Sequence, residues 1–224
     1  EPAAPRAERS EPVMSEITHH IPDALLTAYA AGSLSWPFEL AVAAHVSLCD
    51  DCRARLGAHE AAGGAVMDTL APEVVNISTR EAVMSRLDAP AEDTAAPARS
   101  GIYPGPVASA MGGAVPAWRP VGGGVKQAIL RREQQGSARL LWIPPRQSVP
   151  DHGHDGMEMT LVLQGAFSDD GGTYEAGDVG IADDEVAHSP VAEPGAPCIC
   201  LAATESPLRF RGLVARAMQP LLRI

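Results

Sequence analysis

Apolar residues recur with a helical period from Pro22 to about Leu87, and after about Pro120 they alternate with the period of strands. In the first region, Asp23-Ala-Leu-Leu-Thr-Ala-Tyr-Ala-Ala predicts a short helix stopped by Gly32. A second helix is expected from Pro37, where proline is well placed in a first turn, to about Leu48. A third is expected from Asp50 towards Met67, with Gly63-Gly64 as its weak point. Ser78-Thr-Arg-Glu81 has the form of a capping box and announces a fourth, carrying Val83, Met84 and Leu87 on one side. Residues 89–120 are dominated by Ala, Pro, Gly and Ser and predict a linker, extended and mobile in part. Beyond it Val125–Leu130, Arg139–Ile143, Met159–Leu163, Val179–Ala182 and Cys198–Ala202 read as strands separated by turn residues, as in an all-β sandwich or barrel. Residues 1–13 have no apolar period and read as a disordered leader or an artefact of the gene start, with Met14 a candidate initiator. The expected fold is therefore α then β: a four-helix module over 14–88, a linker over 89–120 and a β-barrel over 121–224.

Composition narrows the function classes. At 224 residues and 46% hydrophobic content the chain can bury two modest cores, mostly aliphatic because only 4% is aromatic. A net charge of −11 argues against direct contact with nucleic acid, where a basic footprint is expected, and suits a basic protein partner. Within residues 14–88 ten acidic side chains face four arginines, a net −6, so the acidity extends to the helical module. No apolar run is long enough to predict a transmembrane helix, and the start has no signal-peptide pattern. The cysteines form two tight pairs, Cys49/Cys52 and Cys198/Cys200, poor material for a secreted disulfide framework and consistent with a reducing cytoplasm.

Two groups of metal-ligand side chains stand out. Cys49-x-x-Cys52 presents two thiolates from neighbouring positions, and His45 precedes Cys49 by four residues, one turn back if both lie on a helix. A histidine from the His19-His20 pair would complete a shell of two thiolates and two imidazoles. Such a shell has no open position and marks a structural zinc site rather than a catalytic one. The second group is His152-x-His154-x-x-x-Glu158 with His188 about thirty residues on. On a strand, positions 152 and 154 share a face. Three nitrogens and one oxygen suit zinc, iron, manganese or nickel and often keep an open position.

The first group, with His19-His20-Ile-Pro-Asp-Ala-Leu-Leu-Thr-Ala-Tyr-Ala-Ala-Gly and Cys49-Asp-Asp-Cys52-Arg-Ala-Arg, resembles the zinc-binding anti-sigma domain, most closely in the cupin-carrying ChrR-type anti-sigma factors. The resemblance continues through Val149-Pro-Asp-His152-Gly-His154 to Cys198-Ile-Cys200 and covers most of 14–224. It implies that His20, not His19, is the ligand beside His45, Cys49 and Cys52. It further implies that residues 14–88 bind an extracytoplasmic-function sigma factor as a 1:1 heterodimer and hide its polymerase-binding surfaces. Release during singlet-oxygen or related photo-oxidative stress, through the C-terminal domain, is also what the resemblance implies. Val83, Met84 and Leu87 are candidate partner-binding residues that could instead complete the module's own core.

The second group resembles the cupin metal motifs, running from His152 through Glu158 to Gly165 and from Gly177 to His188, and so implies a cupin barrel holding a divalent metal, zinc by preference. Four positions depart from the usual pattern: Arg146 stands where the first motif begins with glycine, and Asp183, Glu185 and Ala192 replace the usual Pro, Gly and Asn. The ligand types survive while the turn chemistry does not, which tells against a conventional cupin enzyme. Cys198 and Cys200 lie on one face of a strand, as small buried apolar side chains or as a candidate redox pair. The reading is a non-enzymatic, cytoplasmic anti-sigma factor. Its alternatives are a metal-dependent cupin dioxygenase or isomerase with an accessory zinc domain, and a redox chaperone that releases zinc from Cys49 and Cys52.

Overall fold

The computed structural model describes residues 16–87, 98–134, 136–149, 152–153, 156–183, 189–206 and 209–210, with 152–153 and 209–210 described through their backbone alone. The leader expected over 1–13 lies outside the described residues. The helical region holds α1 (Asp23–Ala30), α2 (Trp36–Val46), α3 (Asp50–Met67) and α4 (Ile77–Leu87), close to the expected spans. Gly32 ends α1 at φ +63, and the N–H groups of Gly32 and Ser33 donate to the carbonyls of Tyr29 and Ala28 in a Schellman closure.

α4 starts one residue before the expected capping box. Asn76 is the cap: its Oδ1 accepts from the backbone N–H of Ser78 at 3.0 Å, and its carbonyl accepts from Thr79 and Arg80. An Asn oxygen two residues upstream leaves no orphan donor for the Ser78 hydroxyl to cap.

The four helices do not form one packed module. α1, α2 and α3 contact one another, whereas α4 buries no residue, and Val83, Met84 and Leu87 are exposed. The second of the two expectations for these three residues, completion of the module's own core, is not what the chain adopts. Part of the linker expectation also changes. Gly105–Ala110 forms a short helix, α5, which packs on α2 with Val107 fully buried. Residues 88–97 lie outside the described residues.

The β region contains β1 (Arg119–Gly122), β2 (Val125–Glu133), β3 (Gly136–Ile143), β4 (His152–Gly153), β5 (Glu158–Gln164), β6 (Ala166–Asp169), β7 (Gly172–Glu175), β8 (Val179–Ala182), β9 (Val191–Ala192), β10 (Cys198–Thr204) and β11 (Arg209–Phe210). A six-stranded antiparallel sheet has the order β1-β2-β3-β10-β5-β8, accompanied by a three-stranded sheet β7-β6-β9 and the pair β11-β4. Among the described residues these sheets do not close into a barrel, because β1 and β8 remain separate edges of the large sheet.

Strand periodicity divides the interior into two layers. Ile199, Leu201 and Ala203 of β10, with Met159, Leu161 and Leu163 of β5, join the cluster that also contains Phe38, Ala41 and Val42 of α2. Cys198 and Cys200 join Val162, Phe167 and Ala192 in the layer towards the small sheet. α2 is apolar nearly all round, and such a helix must be buried on more than one side. It lies between α1, α3 and α5 and strands β3, β5 and β10, so the helical and β regions share one core. Arg131 of β2 over the Trp36 ring of α2, 4.8 Å from its centroid, adds a cation–π contact at the same seam.

Candidate metal centre

The turn between α2 and α3 brings the first ligand group together. His45 is in the last turn of α2, and its carbonyl accepts from the N–H groups of Leu48 and Cys49, both at 2.8 Å. The extended backbone of Cys49 (φ −107, ψ 111) makes it the N-cap of α3 and not a residue one turn further along a continuous helix. Its Sγ accepts from the backbone N–H of Cys52 at 3.4 Å, so both sulfurs sit at the positive end of the α3 dipole. His20 arrives from the extended segment before α1, with Nδ1 3.3 Å from Cys49 Sγ and 3.6 Å from Cys52 Sγ. One ligand atom from each of His20, His45, Cys49 and Cys52 lies within 4.8 Å of every other.

The donor set fits zinc. Tetrahedral Zn–S and Zn–N bonds of about 2.3 and 2.0 Å put neighbouring donors about 3.6 Å apart. His45 is fully buried, and its Nε2 has no hydrogen-bond partner among the described residues, an orphan that a metal would satisfy. Burial pushes the His45 imidazole down to about 4, which keeps it neutral and able to ligate. Burial pushes the Cys52 thiol up to about 11, against a partly offsetting hydrogen bond from the Ile21 backbone, so a bound cation must expel that proton.

The β region touches this cluster directly. The Gly177 carbonyl lies 3.0 Å from His45 Nδ1, which assigns the proton to Nδ1 and leaves the Nε2 lone pair for a metal. Next to it Asp178, 2% exposed, accepts at Oδ1 from the backbone N–H groups of Thr18 at 2.8 Å and His19 at 2.9 Å. Its Oδ2 accepts from the Glu175 N–H at 2.9 Å. Burial pushes this carboxyl up, but the donors from Glu175, His19 and Thr18 outweigh it and hold it below its usual range. Sequence reasoning missed Asp178. Its signal is the Gly-Asp step at 177–178, directly before an apolar strand.

Of the second ligand group, only Glu158 has a described side chain. His152 is placed by backbone alone on β4, while His154 and His188 lie outside the described residues, as does the Glu185 departure. Glu158 is buried at the start of β5 and accepts from Thr160 Oγ1 at 3.1 Å. It lines a cavity of about 240 Å³ between the two sheets, with Thr160, Phe167, Tyr174 and Cys200 among the other walls. Arg139 is buried on β3, two strands away across β10, donating to Ser137 Oγ at 2.7 Å and Gln127 Oε1 at 3.3 Å. Cys198 and Cys200 are both buried and unbridged. The Cys198 thiol beside it and its own burial push the Cys200 thiol well up, which favours the protonated, less nucleophilic form.

Comparison with known proteins agrees with both halves. Residues 113–207 match the model of the ChrR cupin-like domain. Over 212 residues the chain is 52% identical to the anti-sigma-E factor ChrR of Cereibacter sphaeroides, covering 93% of this chain and 99% of that protein. It also matches the crystal structure of Rhodobacter sphaeroides SigE in complex with the anti-sigma ChrR, with a TM-score of 0.75 and 53% identity over 84% of this chain and 99% of that one. The clustered His20, His45, Cys49 and Cys52, the cupin-like sheet behind them and this near full-length identity lead to one assignment: the chain belongs to the ChrR family of anti-sigma factors.

Proposed function

We propose that the chain is a regulatory, non-enzymatic protein that binds an extracytoplasmic-function sigma factor as a 1:1 heterodimer and keeps it from RNA polymerase. The observation that carries this reading is the apolar strip from the end of α3 through α4. Val66, Met67, Leu70, Val74, Val75, Ile77, Val83, Met84 and Leu87 are all exposed, within a helical region that carries a net −6 over 14–88. A monomer seldom leaves so much contiguous apolar side chain in water unless another surface covers it. An amphipathic helix offering Val83, Met84 and Leu87 suits a groove in a partner, and the acidic surroundings suit a basic one.

Zinc bound by His20, His45, Cys49 and Cys52 would hold α1, α2 and α3 in the arrangement that presents this strip, a structural role. His152, His154, Glu158 and His188 would hold a second divalent ion, zinc by preference, in the cupin-like domain spanning 121–224, and that domain would govern release under photo-oxidative stress. The helical zinc domain is assigned to 14–88, with 89–120 as the connection and a complete cupin barrel beyond it. Cys198 and Cys200 are retained as candidate redox residues of that domain. A partner of this class places the protein in the cytoplasm. No helix among the described residues is long and apolar enough to cross a membrane.

Pull-down of sigma factors encoded by neighbouring genes, with metal analysis of the complex, tests the reading. A stoichiometric complex containing zinc is expected, and Cys49→Ser or His45→Ala should abolish it. Full zinc content and undiminished affinity in either variant would remove the structural-site claim.

A further inference from the structure

The two halves of the metal cluster are supported by different parts of the fold. Cys49 and Cys52 sit at the N-terminus of α3, held by that helix and by the turn from His45. The imidazoles are held from the β region. His45 Nδ1 bonds to the Gly177 carbonyl. The segment that delivers His20 has neither helix nor strand at residues 16–22, so its own backbone does not fix it. Instead the Thr18 and His19 N–H groups bond to Asp178, and the Val179 N–H donates back to the His19 carbonyl at 3.2 Å. The His19 ring reinforces the same seam, with Nδ1 3.2 Å from Asp178 Oδ2 and its plane 4.4 Å from Tyr174 between centroids. Tyr174 in turn stacks on Phe167 at 4.8 Å, and both rings line the cavity that contains Glu158.

We propose that Gly177–Val179 is the supporting shell of the candidate zinc site, with Asp178 as the positioning residue that holds the His20 segment. The proposal rests on the zinc reading above and deepens it by stating how the cupin-like domain reaches that site. Outer partners of ligating histidines fix ring orientation, and their loss weakens metal affinity by about 10–100-fold. Here those partners come from the domain assigned to regulation. A shift of the turn would loosen His20 and His45 while leaving the two thiolates on their helix. Phe167, Tyr174 and His19 give the cavity a packed route to the turn, so a ligand or oxidation event in the cavity has a contact path to the zinc.

The test uses the full chain loaded with Co(II), and zinc transfer to a chelator measured in parallel. In Asp178→Ala, thiolate-to-cobalt charge transfer should persist. The d–d bands should weaken and shift as imidazole is replaced by water, and zinc should leave about 10–100-fold faster. A merely destabilised fold would lower the melting temperature without this selective change of ligand field. Thr18→Pro removes the backbone N–H that donates to Asp178 Oδ1 and the hydroxyl that donates to Oδ2, keeps the His19 donor, and changes no residue of the turn. It should change bands and release in the same direction by less, and it decides the matter if Asp178→Ala does not fold. Wild-type bands and release rates in a folded variant overturn the supporting shell. Absence of thiolate-to-cobalt charge transfer in the unaltered protein overturns the zinc reading itself, and this proposal with it.

Discussion

His45 illustrates how one buried side chain sets the pH behaviour of the helical region. Its ordinary value of 6.5 falls to about 4 in the fold, so the unfolded chain takes up the proton first as pH drops. Its contribution to the metal-free protein is therefore constant above about 6.5, declines between 6.5 and 4, and is spent below 4. The size is about 3 kcal/mol, from 1.36 kcal/mol per pH unit. Asp178 acts in the same sense, since a lowered carboxyl loses its contribution as pH falls through its folded value. Urea titrations of metal-free protein from pH 7 to pH 4 should show this loss, and His45→Gln should flatten the part between 6.5 and 4. Cys52 adds a linked expectation. A thiol at about 11 is protonated at neutral pH, so zinc binding should release at least one proton, visible as a buffer-dependent calorimetric enthalpy.

At the scale of elements, α4 and β10 represent opposite cases. α4 buries nothing, so Leu87→Asp should change stability by no more than about 0.5 kcal/mol while greatly weakening sigma-factor binding. β10 is buried along its whole length, and Leu201→Ala should cost about 2–5 kcal/mol whether or not a partner is present. Chemical denaturation paired with a binding assay checks both, and a large stability loss in Leu87→Asp would show that α4 packs at home. Their legibility in the sequence differed for a physical reason. The His45, Cys49 and Cys52 spacing was readable because ligand geometry is local, and the periods located α1 to α4 and strands β2, β3, β5, β8 and β10. The sequence did not reveal that α2 is packed between helices and sheet, because an all-round apolar helix states its burial but not its neighbours. Nor did it reveal that Asn76 outcompetes Ser78 as a cap, or that residues 105–110 within the expected linker fold as α5. Gly177 and Asp178 were invisible as metal-site residues because their partners lie more than 130 positions away in the chain.

The whole molecule depends on that shared core. α2 contributes Phe38, Ala41 and Val42 to the same cluster as Leu140, Leu161 and Leu201, and it also delivers His45 to the metal cluster. If zinc held only a detached helical module, a chelator would melt the helices and leave the β region at its own midpoint. The contacts described here predict otherwise. Loss of zinc frees His45 at the end of α2 and Cys52 at the start of α3, and α2 cannot loosen without exposing the inner face of β3, β5 and β10. Zinc removal should therefore lower one cooperative transition, with helix-weighted far-ultraviolet circular dichroism and, in a Trp36→Phe, Trp118→Phe background, the fluorescence of Trp142 on β3 moving to the same lower midpoint. Two separated transitions would show that the core is shared in geometry but not in energy. In that case a signal in the cavity could reach the exposed apolar strip proposed to bind the sigma factor only through the hydrogen bonds of Gly177 and Asp178. A single transition would mean that burial and hydrogen bonding act together, and that whatever binds preferentially to one conformation of the β region also biases the helices that carry the strip.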